Sequence, residues 1–418
     1  MRDLPLRVVR LVFFLLLLAI SAIAQPAPLP RVRAITTFIR IDRSNYKTQV
    51  DDAVKMLGVA RGAFIAAGFE VQTTRIVTQP FPDYTRGLSR SDAANFLREF
   101  DQYISAVSAS NKFAVIANIG PAMRNAADDT SAAELLGDVL GTAKFNSSIV
   151  VAGDDGIHWN AVRASARLMK KLEETPHSDG TFKFAATAML QPFAPFFPGA
   201  WHDSPGHQFS IGLEGAGLVD QAFSAANRDP QVALQRLTAL LTEQGRVVER
   251  IGEQVEKQTG WSYLGFDPTP APLGQVSIAA AMEKLIGAPF GSSGTLTAAA
   301  IITQAVKAVP VKQIGYAGLM LPILEDARMS QRWSEGTFHI DSLLAYSSVC
   351  GTGLDTVPLP GDVTEEQLVR IIGDVASLAV KWHKPLTARL QPETGKKAGD
   401  RTDFQDTMLV NAVLQPLP

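Results

Sequence analysis

The chain has 418 residues, 46% of them hydrophobic and 19% charged, a balance that fits a large buried core and excludes a disordered or low-complexity protein. Lys+Arg 39 against Asp+Glu 41 gives a formal net charge of −2, so the basic excess that nucleic acid or an anionic membrane surface would call for is missing. A single cysteine excludes an internal disulfide.

The chain opens on an export leader. Arg2, Arg7 and Arg10 form a positive start, "LVFFLLLLAI" is an apolar core of signal-peptide rather than membrane-span length, and "AIA" places small residues ahead of Gln25. This pattern predicts a signal peptide over residues 1–24, cleaved after Ala24, because Pro26, Pro28 and Pro30 stop a helix from running on. Residues 25–418 are then expected to form a single domain, exported to the periplasm or the cell surface. No later stretch reaches the roughly 20 apolar residues of a membrane helix, so no span is expected after cleavage.

Strand and helix patterns then alternate. "RVRAITTFIRI" reads as a strand, "YKTQVDDAVKMLGVARGAFIAAGF" as an amphipathic helix and "EVQTTRIV" as the next strand. "SRSDAANFLREFDQYISAVSAS" (helix), "KFAVIANIG" (strand), "SAAELLGDVLGTA" (helix), "SSIVVAG" (strand) and "WNAVRASARLMKKLEE" (helix) continue the rhythm. Such alternation implies parallel pairing through right-handed crossovers, hence a doubly wound sheet or an α/β barrel. The Pro- and aromatic-rich "MLQPFAPFFPGAWHDSPGH" reads as an active-site loop or domain joint, followed by the longest helical pattern, "DPQVALQRLTALLTEQGRVVERIGEQVEKQTG". From Leu264 the rhythm resumes, with turn signals at "FDPTPAP", "FGSSG", "CGTG" and "PETGKKAGD".

An ordered set of blocks, including "FNSSIVVAGDDGIHWNAV", "PFFPGAWH", "FDPTPAPLGQVSIA", "LPILEDARM", "SVCGTGLDTVPLPGD" and "LTARLQPETGKKAGD", resembles the domain of unknown function 711 family. The resemblance implies a large α/β barrel of the pyruvate formate-lyase and anaerobic ribonucleotide reductase type, and supplies no reaction. The glycyl-radical motif of that superfamily is absent: its counterpart here would be "VKQIGYAG", with Lys312 in the Arg place and Gly315 far from the C-terminus. "IGYAG" reads instead as a strand end whose glycines allow close packing.

Four groups of residues are candidates for a site. By resemblance, Cys350 stands on a loop that enters the barrel centre, where it is a thiolate or a lining group, with Asp355 as acid, base or orienting group; the plain alternative is a small buried hydrophobe with Asp355 capping a turn. Ser292, Ser293 and Thr295 open an Ala-rich helix whose free N–H groups suit phosphate or carboxylate, or form an ordinary helix cap. Arg389, on the short strand "PLTARLQP", suits bidentate anion recognition, and Lys397 lies in the Gly-flanked loop behind it. Glu325 and Asp326 are adjacent carboxylates fit to bind a cation, to serve as general base or simply to be solvated at the surface, and His202 in "GAWHDSPGH" is placed to bind a metal or to move protons near neutral pH.

No ligand set of metal-site spacing and no dinucleotide fingerprint occurs, so neither metal nor cofactor is expected. The leading expectation is an exported enzyme, a lyase or hydrolase performing non-radical acid/base chemistry on a small anionic metabolite. The alternative is a periplasmic small-molecule binding protein without catalysis. A homo-oligomer is compatible with either.

Overall fold

The computed structural model describes residues 31–417; the expected leader and its cleavage site lie outside them. Ten strands are present: β1 (Arg31–Ile39), β2 (Val71–Thr78), β3 (Val115–Pro121), β4 (Asn146–Gly153), β5 (Gly156–Ile157), β6 (Phe184–Ala188), β7 (Gly206–Glu214), β8 (Ser262–Asp267), β9 (Gly353–Pro360) and β10 (Leu386–Glu393). They form one sheet in the order β8-β7-β1-β2-β3-β4-β6-β10-β9, with β5 folded back onto β4.

β1, β2, β3, β4 and β6 run parallel, as strand–helix alternation demands. Direction then reverses twice: β7 is antiparallel to β1 and β10 is antiparallel to β6, and each carries one parallel neighbour, β8 and β9. The parallel pairing expected from the sequence therefore fails at these two joints and at the short β5. β7 begins where the Pro-rich stretch ends, and that stretch brings the chain back across the barrel instead of over its outside.

Residues 312–325 close the gap between the edge strands. On the β8 side Phe266 donates its N–H to the carbonyl of Lys312, and Ile314 donates to that of Phe266. On the β9 side Pro322 bridges Asp355, and the Leu324 N–H donates to the Thr356 hydroxyl. Glycines make this seam sterically feasible. A Cβ at Gly265, where φ is +135°, would lie 2.4 Å from the Lys312 carbonyl oxygen, and one at Gly318 or Gly351 would lie 2.7 Å from the other's Cα. The result is the large α/β barrel implied by the family resemblance.

Helices pack outside the strands, and their ends follow local rules. The helix Pro230–Thr259 starts with Asp229 accepting from Gln231 and Val232, has Pro230 as its first residue and stops at Gly260 in the left-handed conformation. Thr364 and Gln367 form a reciprocal capping box at the helix Glu365–Trp382, which packs on β10. On β10 Leu386, Ala388 and Leu390 join the main hydrophobic core, leaving Thr387 and Arg389 on the face that lines an interior cavity. Among the described residues no helix is long and apolar enough to cross a membrane.

Candidate functional site in the barrel interior

Two irregularities in strand pairing put charge inside the barrel. Between β1 and β7, Val32 pairs with Leu213 and Ala34 with Gly212, so Arg33 is one residue too many. Between β9 and β10, Leu354 pairs with Ala388 and Val357 with Leu390, so Asp355 and Thr356 face Arg389 alone, with Thr356 at φ +45°. Bulges of this kind re-aim side chains that strict alternation would place elsewhere. Arg33, Asp355 and Arg389 thus converge on Glu325, which the closing segment delivers on its short 3-10 turn Ile323–Glu325.

Both carboxylate oxygens of Glu325 are engaged: one accepts from Arg33 Nη2 at 2.5 Å, the other from Arg389 Nη1 at 3.0 Å. Arg389 Nη1 also reaches Asp355 Oδ1 at 3.5 Å, while Nε and Nη2 donate to the Phe182 carbonyl, whose ring lies beneath the guanidinium. Burial pushes Asp355 up to about 6; Arg389 opposes that rise and the like charge of Glu325 adds to it. Ordinary aspartates are fully ionised well below that pH, so Asp355 exchanges its proton closer to neutrality than an exposed aspartate does.

A cavity of about 390 Å³ opens against this network, lined among others by Arg33, Arg75, Tyr316, Thr352, Asp355 and Arg389. Arg75, on β2, is 5% exposed and forms no ion pair among the described residues. Nε donates to the Thr73 hydroxyl at 3.0 Å and Nη1 to the Pro195 carbonyl at 3.1 Å, and Phe197 packs on its face at 4.7 Å. Burial, first of all, lowers it to about 9, which still leaves the guanidinium charged at neutral pH. Tyr316 donates to or accepts from Thr387 at 2.8 Å and is positioned by Asp267, which accepts from the N–H groups of Tyr316 and Ala317. Asp267 itself is pushed up to about 6 by burial.

The sequence candidates fall into two sets. Glu325, Asp355 and Arg389 come together in the cavity. The other seven lie away from its lining. Asp326 caps two helices at once, accepting from Met329 at the start of one and from Ser277, Ile278 and Ala279 at the start of another. His202 pins its loop to the end of β1, with Nε2 at 2.9 Å from the Ile39 carbonyl and Nδ1 at 3.0 Å from Ser204 Oγ; burial lowers it to about 4. Cys350 is 1% exposed, its sulfur accepting from Gly353 at 3.4 Å, and the neighbouring glycines admit backbone, Gly318 and Thr387, where a ligand was expected. The loop of Ser292, Ser293 and Thr295 closes on itself, the Thr295 hydroxyl accepting from Gly291 and the Thr295 N–H donating to the Ser292 carbonyl. Lys397 is exposed, with its backbone N–H on Asp400. Among the described residues no three His, Cys, Asp or Glu side chains are grouped as metal ligands.

Arg33, Arg75, Tyr316 and Thr352 escaped the sequence reading. A signal was present for two of them: Arg33 and Arg75 place a charge within strands β1 and β2, where a buried charge is costly unless it meets a partner.

The family model described as "Uncharacterised ACR (DUF711)" matches residues 28–405. A UPF0210 protein of Pyrobaculum aerophilum is 36% identical over 66% of this chain, which spans 63% of that relative's length. One of Pyrobaculum arsenaticum is 32% identical over 81% of this chain and 77% of its own, and one of Listeria monocytogenes 29% identical over 63% and 61%. Among solved structures, the anaerobic ribonucleotide reductase of Thermotoga maritima in complex with dATP and CTP is similar at a TM-score of 0.42 and 8% identity, covering 91% of this chain and 79% of that one. A match that runs from β1 past β10 and takes in every charged residue of the barrel interior identifies the chain as a member of the DUF711 (UPF0210) family.

Proposed function

We propose that the barrel cavity binds a small anion and performs acid/base chemistry on it, of the lyase or hydrolase kind, without a radical. The observation that carries this reading is Arg75, a buried guanidinium on the cavity wall with no carboxylate among the described residues within ion-pair distance. A buried charge is costly unless paired, and an anionic ligand would supply the pair. Arg33 and Arg389 are already committed to Glu325, so Arg75 is the anchor. Asp355 is the proton-handling group, since its raised pKa lets it accept and return a proton near neutral pH. Incubating the purified protein with a panel of small carboxylates and phosphates, and following loss of each by mass spectrometry, tests this: turnover of one of them, abolished in Asp355→Asn and weakened in Arg75→Met, is the expected result.

Capture without turnover is the second reading. It is favoured by the engagement of both Glu325 oxygens with guanidiniums, which leaves Asp355 without a second free carboxylate beside it. A ligand bound tightly and returned unchanged by both the parent and Asp355→Asn would decide for it.

We further propose export, on the Arg-led apolar leader ending in "AIA". The mature protein is expected to begin at Gln25, and N-terminal sequencing that found residues ahead of Ala22 in the exported fraction would refute it.

A further inference from the structure

Resting on the anion-binding reading, we infer that the ligand is an aromatic monocarboxylate carrying an oxygen substituent on its ring or side chain. The single negative charge follows from the interior charges. Arg33 and Arg389 are both held by Glu325, Arg389 also by Asp355, and Arg33 also lies 3.7 Å from Glu214. At the rim, Lys144 and Lys183 are matched in number by Asp179 and Asp406, and the Lys183 ammonium donates to the carbonyls of Gly141 and Ala143. Among the described residues Arg75 alone of these three guanidiniums has no carboxylate within ion-pair distance, and one such cation calls for one anionic group. Two of its five N–H donors are used by Thr73 and Pro195, leaving enough for a planar, two-oxygen acceptor. A carboxylate matches that fork; a phosphate dianion would bury a second negative charge with nothing to offset it.

The rest of the wall specifies the body. Phe182, Phe196, Phe197, Tyr316 and Met320 all line the cavity, with the Phe196 and Tyr316 rings 6.5 Å apart and tilted by 47°. Tilted rings and a thioether offer edges and faces suited to another flat ring, and an apolar body entering there displaces poorly held water. A volume of about 390 Å³ falls at the small end of small-molecule sites and has room for a substituted benzoate or phenylacetate. The oxygen substituent is called for by Thr352: it lines the cavity, is 2% exposed, and its hydroxyl has no partner. A buried hydroxyl in this state costs free energy that a ligand oxygen would recover.

Calorimetric titration of the purified protein with 4-hydroxybenzoate, benzoate, hexanoate, succinate and inorganic phosphate tests the assignment. The expected order is 4-hydroxybenzoate, then benzoate, each at least tenfold tighter than hexanoate, succinate or phosphate. Arg75→Met is expected to lose at least tenfold for both aryl carboxylates. Thr352→Val should weaken 4-hydroxybenzoate severalfold while leaving benzoate as it was, and Phe196→Leu should narrow the gap between benzoate and hexanoate. Far-ultraviolet circular dichroism of each variant confirms that it is folded before its affinity is compared. Succinate or phosphate binding best, still through Arg75, would overturn the ligand class and leave the anion site standing. Binding by none of the five would overturn the class, and if a wider panel of anions also left Arg75→Met and the parent alike, the anion site would fall with it.

Discussion

Glu325 and Arg389 meet at 3.0 Å inside the barrel, with only 7% of either side chain exposed. The pair links the irregular closing segment to the final strand, and through Arg33 it reaches the first strand as well. Removing one member of a buried ion group leaves the others unpaired, which commonly costs about 3–5 kcal/mol. Glu325→Gln is therefore expected to lower the unfolding free energy by that order in urea titrations. The quadruple replacement Arg33→Met, Glu325→Leu, Arg389→Met, Asp355→Asn should recover most of the loss, because it removes the charges of the cluster together. A quadruple variant no more stable than Glu325→Gln would mean that the pairing itself, rather than the isolated charges, dominates.

Asp355 gives a dependence on pH whose sign is set by its upward shift. Its folded-state pKa of about 6 lies above the ordinary 3.8, so between those values the native state holds a proton that the unfolded state has lost. Its contribution to stability therefore declines as pH rises from about 4 to 6, and is level above. Asp355→Asn has no such proton, so its stability relative to the parent should climb through that window and flatten beyond it. Parallel urea titrations at half-unit pH intervals measure the difference; a flat difference curve would contradict the shift.

His202 acts in the opposite sense. Burial holds it at about 4, below the ordinary 6.5, so the unfolded chain takes up a proton that the native state refuses. Stability is full above about 6.5, falls as pH drops toward 4, and levels off there. The loss reaches at most about 3.5 kcal/mol, at roughly 1.4 kcal/mol per pKa unit. His202→Gln should flatten that acid slope and leave the affinity for any cavity ligand unchanged. A change in affinity would bring His202 back into the site.

Asp326 holds the starts of the helices Ile278–Ile286 and Ala327–Ser334 with one carboxylate. A single helix cap is worth about 1 kcal/mol, and this one is buried and serves two, so Asp326→Ala is expected to cost about 2–4 kcal/mol. Thermal melting provides the comparison. Folded Asp326→Ala should bind cavity ligands like the parent, in contrast to Arg75→Met.

Cys350 is sealed under backbone on the "CGTG" loop. Its reaction with a thiol reagent is expected to follow unfolding, accelerating with urea in step with loss of structure. Fast labelling in native buffer, or labelling slowed by a cavity ligand without a change in stability, would place the thiol within reach of the site.

The sequence carried the parallel half of the barrel well, because helix caps and apolar periodicity are local signals. "RVRAITTFIRI" and "PLTARLQP" read as strands and are β1 and β10. β7 was hidden in "GHQFSIGLE", next to a Pro-rich stretch that reads as an active-site loop or domain joint, and the direction of its pairing is set by a strand far away in the chain. Of the site, Glu325, Asp355 and Arg389 were legible as charges beside strand ends. That Asp326 caps while its neighbour Glu325 faces the cavity was not, since the split depends on one 3-10 turn. Nor was the inward aim of Arg33, which rests on a bulge defined only by the register of a strand some 180 residues away.

The order of the strands also bears on when the cavity comes into being. Its charged wall draws on β1 and β2 near the beginning of the chain and on β9 and β10 near its end. A ribosome releasing this protein residue by residue therefore delivers Arg33 and Arg75 long before Asp355 and Arg389, and no leading fragment, however well its parallel strands assemble, holds a complete site. The proposed ligand recognition would thus belong to the finished molecule alone, and would report that the last strand has taken its place.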